Sequence, residues 1–454
     1  MNDNALHVAR VLSAMEHVCP RVGRDIAACL DRDVVDYARR FHGAVCGSPS
    51  RLGAWYRARL GVALGARARA LYPESGGEPF WAPSTVPVVL TAPHCQLYTD
   101  RMAFWSYLMA FIAAREHGAC WLPVFNTSTV TLQERAGLGP AWLTTSAGAV
   151  NVTNLGSSRL SSVSVCAAGA GVHFNAGAVR AAAERTSPSE ASRLVKLASC
   201  LESGGDTLAE RTDRANVHWL TSLSDQRSPR PVLFSEPLVS QLMIAAIEAR
   251  DPIVNAFLFE PERRARLATA FERAQRQPYR HFLSNTTVHF WGLRQGKIRK
   301  LTLVDDNFIE LDDPGPQRIA IVCERSAVLD ALSSGRLVPN LFWCFLLTGI
   351  LPGFAAIGGT RQIGYLPSFV DILCNALEGC AGEEAELLDS LSALRLSLWG
   401  AKVLECMSQP LETLAALRGG SELDQLHERC RSVTLREATN HLGAFRDHPL
   451  WSRF

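Results

Sequence analysis

Within the stretch Ala92 to Arg101 (APHCQLYTDR), His94, Cys95, Gln96, Tyr98, Thr99, Asp100 and Arg101 all carry groups able to do chemistry. A histidine titrates near neutrality and can pass a proton in either direction, so His94 is the candidate acid/base. Gln96 and Thr99 would position a substrate. Arg101 and Thr99, at the start of a helix whose free N–H groups favour an anion, would hold a carboxylate or phosphate. The plainer alternative is that Thr99 or Asp100 only caps that helix and that Cys95 is a small buried residue. Cys95 as a nucleophile activated by His94 is a weaker reading, because neighbours on an extended loop point apart.

Two further clusters could face this loop. Asn126, Thr127 and Ser128 follow an apolar run and are placed to meet a ligand across from His94, unless they merely form a hydrogen-bonded turn. In GGTRQIGY, Gly358 and Gly359 would let backbone approach a ligand closely, while Arg361, Gln362 and Tyr365 offer directional donors. This is not a phosphate-loop pattern, and a strand-to-helix turn is the plain alternative. The histidines show no HExxH spacing and the cysteines no CxxC pair, so the sequence requires no metal.

These residues need elements to hold them. An apolar strand (Val86 to Thr91), the polar loop, a long apolar helix (Met102 to His117) and a second strand (Ala119 to Phe125) follow in the order of a β-α-β unit. In such sheets ligands bind at the carboxyl ends of the strands, where the loop lies. The fold class expected is α/β, a parallel-sheet core with helical insertions and a C-terminal helical region. Residues 1–82 read as a helical layer whose arginines Arg57, Arg59, Arg67 and Arg69 form a solvated face. Residues 83–375 read as the core, with a helical insertion over about 185–285 that contains one short strand, PVLFS; residues 376–454 read as helical.

Alternating runs around Gln295-Gly296 predict a β-hairpin, with Asp305-Asp306 and Asp312-Asp313 as solvated turns. Leu337 to Thr360 carries no charge over 24 residues, but its prolines and glycines suit a buried helix, turn and strand better than a membrane span. Leu387, Leu391, Leu394, Leu398 and Ala401 recur at spacings of four and three, the seam of a coiled coil, which suggests an antiparallel helical pair or a homodimer contact.

With 454 residues, 47% hydrophobic and 20% charged, the chain can bury a full core. Lys plus Arg (46) nearly balances Asp plus Glu (44), so no global field draws it to nucleic acid or an anionic membrane. Thirteen scattered cysteines argue against a disulfide framework and for a reducing compartment, and the start of the chain shows no export signal; the expected location is cytoplasmic.

VVLTAPHCQLYTDRMAFWSYL, WLPVF, HFWGLRQGKIRKLTLVDDNFIEL and RLVPNLFWCFLLTGILPGFAAIGGTRQIGY together resemble, in order and spacing over about residues 85–370, the bacillithiol-biosynthesis cysteine-adding enzyme family. The resemblance implies a Rossmann-like core, a C-terminal helical dimer arm, and a reaction that joins cysteine to an amino-sugar conjugate. The positions it carries over are Thr91, His94, Gln96, Leu97, Thr99, Pro339, Asn340, Gly358, Gly359, Ile363 and Tyr365. Asn126, Thr127 and Ser128 stand where the family has acidic and histidine residues, and they cannot act as bases at neutral pH.

Two functions follow. The first is a ligase- or transferase-like enzyme forming a C–S or C–N bond between an amino acid or similar nucleophile and a carboxylate-bearing or activated small molecule. His94 would be its acid/base; Gln96, Thr99, Asn126 and Asn340 would position the substrate, with Arg361 on the anion. The cofactor is left open, with an adenine nucleotide (ATP or ADP) among the candidates. The second is a catalytically inactive relative that binds a small molecule or a partner protein.

Overall fold

The computed structural model describes residues 3–40, 50–74, 88–135, 137–277, 283, 287–310, 315, 318–393, 397–399, 403–404, 407–417 and 419–446. Helices Asp3–Val18, Pro20–Cys29, Val34–Arg39 and Arg51–Leu71 come first. The last buries Leu52, Tyr56, Leu60, Leu64, Ala68 and Leu71 at near-helical spacing, which makes one face of it core. The other face departs from expectation. Arg67 donates to Leu233 O (2.9 Å) and to Asp213 Oδ2 (3.0 Å), and Arg57 donates to Pro352 O (3.0 Å). A solvated arginine face was expected, but carboxyl and carbonyl acceptors on the sheet side draw two of the four inward.

The α/β expectation holds. β1 (Val88–His94) and β2 (Trp121–Thr127) flank the helix Arg101–Glu116. After the small hairpin β3 (Trp142–Thr145) and β4 (Gly148–Asn151) comes β5 (Arg230–Phe234), which pairs in parallel with β2 from Trp121↔Arg230 to Phe125↔Phe234. The segment read as a helical insertion therefore supplies a strand of the main sheet. All of Ala103 to Ala114 on the β1–β2 helix is buried, as a helix covered on every side must be apolar throughout. Asp100 caps its start, accepting from Met102 N (2.8 Å) and Ala103 N (3.1 Å).

The predicted hairpin forms as β6 (Phe290–Arg294) and β7 (Lys297–Val304), turning at Gln295 (φ 52°) and Gly296 (φ 75°). Positive φ at both turn residues matches the twist of the strands. A second such turn, Asp305 (φ 46°) and Asp306 (φ 58°), leads to β8 (Asn307–Glu310) and on to β9 (Ala320–Val322). Asp312 and Asp313 lie outside the described residues. The uncharged run becomes β10 (Leu337–Pro339), helix Leu341–Phe345, a π-turn and β11 (Ala355–Gly358). No helix among the described residues is long and apolar enough to cross a membrane.

Two main sheets result. One has the order β10-β6-β7-β8-β9 and is antiparallel. The other has the order β12-β11-β1-β2-β5, where β12 is Ser397–Trp399, and every neighbouring pair in it is parallel. β12 corrects the coiled-coil reading. The helix carrying Leu387 and Leu391 ends at Ala393, and Leu398 pairs with Ile357 on a strand; Leu394 and Ala401 lie outside the described residues. Two heptads of leucine spacing are too short to outweigh pairing to a sheet edge.

The C-terminal helices fold back on the chain's own beginning. Leu435 N donates to Arg32 O (2.8 Å), Arg436 N to Leu30 O (2.8 Å) and Val34 N to Val433 O (3.1 Å), while Arg431 and Arg39 both reach Glu116 at the end of the β1–β2 helix.

Candidate functional site

The polar residues at the carboxyl ends of β1, β2 and β11 sort into a rim and an interior. At the rim, β1 is irregular: Thr91 pairs with Phe125 and His94 with Thr127, so three steps along β1 match two along β2. A bulge of this kind re-aims a side chain. It brings His94 Nδ1 against Glu134 Oε1, with the two side chains 43% and 40% exposed. Glu134 is held by its own turn, its N–H donating to Leu138 O (3.0 Å). Gly139 (φ 118°) closes that turn so tightly that a Cβ there would meet Glu134 N at 2.9 Å.

The bond from His94 holds the Glu134 carboxyl below its ordinary range against the opposing effect of burial, and Arg135 and Arg361 add to the lowering. Arg361, from the turn before helix Gln362–Leu377, thus joins the cluster, and it also bonds the hydroxyl of Tyr365, whose ring stacks on Phe369 (6.0 Å, 23°). Thr127 is the strand neighbour of His94, and its Oγ1 is buried without a hydrogen-bond partner among the described residues. His94, Thr127, Glu134, Arg135, Arg361 and Tyr365 therefore form the rim.

Most other expected site residues belong to the interior. Asn126 is fully buried, accepts from the Tyr98 hydroxyl (2.9 Å) and donates to Asp213 Oδ1 (2.9 Å). It does not face a ligand. Asp213 (2% exposed) is held by Arg67 and Asn126; burial nonetheless raises its carboxyl above the ordinary range. Ser128 N lies 3.0 Å from both carboxylate oxygens of Glu236, and the Ser128 hydroxyl donates to one of them. Glu236 (2% exposed) has its carboxyl raised by burial, against those hydrogen bonds.

Asn340 caps helix Leu341–Phe345 through Trp343 N (3.0 Å) and donates to Thr287 O (2.5 Å), so its amide is fully engaged at the end of β10. Thr99 is 3% exposed. Gln96 sits half-buried, its carbonyl accepting from Asn216 Nδ2 (2.8 Å). Arg101 is exposed at the first position of its helix. The anion expected at that helix start is supplied by the chain itself, since Asp100 already occupies the first N–H groups.

The glycine loop is also corrected. Gln362 Nε2 donates to Thr91 O (2.7 Å) and Thr91 Oγ1 donates back to Gln362 Oε1 (2.5 Å). The folded amide lies over Gly358, where a Cβ would fall 1.3 Å from Gln362 Oε1. Gly358 is small to admit a side chain of its own protein, not a ligand; Gly359 beyond it is half-buried. Cys95 is fully buried and its thiol is pushed well above the ordinary range by burial, with Asp213 and Glu236 adding to the effect, so it is no nucleophile.

The sequence reading missed Glu134, Arg67, Asp213 and Glu236. Only Glu134 left a signal, an acid in a polar, glycine-bearing segment just beyond a strand end. Among the described residues, no group of three or more His, Cys, Asp or Glu side chains could hold a metal. No protein-family model, curated protein or solved structure matches this chain.

Proposed function

We propose that the rim is the active site of a ligase- or transferase-like enzyme that joins an amine or thiol nucleophile to a carboxylate- or phosphate-bearing small molecule. The observation that carries it is the His94–Glu134 contact at the carboxyl ends of a parallel sheet, with Arg361 beside it. A carboxylate on Nδ1 favours the tautomer with its proton there, which leaves Nε2 to accept a proton. His94 takes the proton of the nucleophile's N–H or S–H as that atom bonds to the acceptor carbon. The acceptor carbon must arrive activated, as an acyl ester or acyl phosphate, and His94 returns the proton to the oxygen of that group as its bond to the carbon breaks. Arg361 and Arg135 hold the acceptor's anionic group.

The resemblance to the cysteine-adding family supports this class of reaction, and the all-parallel sheet supports a Rossmann-like core within it. An adenine nucleotide as activating cofactor, a homodimer and a cytoplasmic setting stay part of the proposal. The test is ligand-dependent melting against nucleotides, amino acids including cysteine, and small carboxylates, because a ligand of the native state raises the midpoint. The expected result is a rise that is lost in both His94→Ala and Arg361→Ala. A rise that survives both substitutions would exclude the rim as the site.

The exposure of His94 and Glu134 favours a second reading, a protein that binds without turnover, because acid/base catalysis gains from a site closed to water. A rise in midpoint without product under any nucleophile and acceptor pair distinguishes it.

A further inference from the structure

Two large apolar side chains stand in solvent beside the rim, Leu138 (49% exposed) and Met102 (53%). Leu138 closes the Glu134 turn: its N–H donates to Arg135 O (3.0 Å) and its carbonyl accepts from Glu134 N (3.0 Å). Arg135 and Leu138 face each other in an antiparallel bridge, and residues opposite one another in such a bridge send their side chains to the same side. Arg135 is near enough to lower the Glu134 carboxyl. The Leu138 side chain therefore lies on the same side of the turn as a guanidinium that acts on the rim.

Met102 comes from the start of the β1–β2 helix. Its N–H donates to Asp100 Oδ1 (2.8 Å). Burial raises the Asp100 carboxyl, and His94 and Glu134 are both near enough to act on it as well, in opposite senses. Arg101, Arg135 and Arg361 are exposed. A single exposed apolar side chain is ordinary on a protein surface. Two of them flanking a histidine–carboxylate pair, among three exposed arginines, match a ligand that has an anionic head and an apolar tail. A short anion would leave both Leu138 and Met102 in water.

We propose, resting on the rim as the active site, that the acceptor is an amphiphile: a carboxylate- or phosphate-bearing molecule with an alkyl chain, its anionic group on Arg135 and Arg361 and its chain against Leu138 and Met102. The arginines set where the molecule sits. The chain sets which molecule is chosen, since each methylene taken out of water adds to affinity.

The test is ligand-observed NMR on the full chain with butyrate, octanoate and octylammonium, below the concentration at which octanoate forms micelles. Octanoate is expected to bind about tenfold tighter than butyrate, with roughly half of each additional methylene leaving water, and octylammonium is expected not to bind. Arg361→Ala should weaken both carboxylates by the same factor. Leu138→Ser combined with Met102→Ser, at two exposed positions, should bring octanoate to the affinity of butyrate, whereas Val62→Ser, exposed on the helix Arg51–Leu71, should change neither. Octanoate no tighter than butyrate, octylammonium as tight as octanoate, a chain-length dependence kept in the folded double variant, or one lost in Val62→Ser would each overturn the proposal. Carboxylate binding that is absent from the wild-type chain, or unchanged in Arg361→Ala, would overturn the rim reading and this proposal with it.

Discussion

Glu134 bonds to His94 at the carboxyl end of β1 and Glu236 to Ser128 just beyond the carboxyl end of β2, yet one side chain is 40% exposed and the other residue is 2% exposed. The rim glutamate has a single side-chain partner and open water around it. The interior glutamate has donors on both oxygens and is closed off from solvent. The difference shows which polar groups hold the fold and which are available to a ligand, a distinction that residue type alone does not make. A carboxylate whose acceptor capacity is filled from inside must be retained for stability. One that meets only an exposed imidazole contributes little to stability and can change partners.

The largest effect expected from breaking this division is Asp213→Ala. It leaves the Arg67 charge and the Asn126 amide without their buried acceptor, and the loss is about 3–5 kcal/mol by urea unfolding. A loss under about 1 kcal/mol would mean the interior network is not structural.

Gly358→Ala comes next, at about 1–3 kcal/mol, because the new methyl group displaces Gln362. Gln362→Ala in the same chain removes the amide from that space and leaves only its Cβ, 2.9 Å away, so the double variant should lose less than the sum of the singles by about 1 kcal/mol. Simple additivity would show that Gln362 does not fill the space.

A smaller, pH-dependent effect belongs to His289. Its folded value of about 3 lies below the usual 6.5, so its contribution to stability is fully present above pH 6.5 and is lost as pH falls, by at most about 1.4 kcal/mol per unit. Buried Glu236, raised by its surroundings, works in the opposite sense, its contribution being lost as pH rises. Comparison with His289→Phe between pH 7 and 5 cancels that and every other group. The wild-type chain should lose stability more steeply on acidification than the variant, and parallel curves would contradict the assignment.

Much of the frame was legible in the sequence. The β1–β2 unit announces itself through two apolar strands around a long apolar helix, and the hairpin through Gln295-Gly296 between alternating runs. The uncharged run broke into helix and strands where its prolines and glycines fall. What failed did so for long-range reasons. Leu398 has coiled-coil spacing but a strand partner 41 positions away in Ile357, and no local pattern records that pairing. Arg67 looks like its exposed neighbours until Asp213, far along the chain, is folded against it. At the proposed site, His94 and Arg361 stand at the strand ends where the sequence put them. Asn126, Asn340 and Gln362 were misread because an amide facing a ligand and an amide bonding its own protein are alike in one dimension.

The most direct measurement sets Glu134→Ala beside Glu236→Ala in urea unfolding. Glu236→Ala is expected to cost about 2–4 kcal/mol, since it leaves the Ser128 N–H and hydroxyl buried without an acceptor. Glu134→Ala, at an exposed pair, is expected to stay within about 1 kcal/mol of the wild-type chain. Equal losses, or the larger loss at Glu134, would contradict the division into a structural interior and a functional rim.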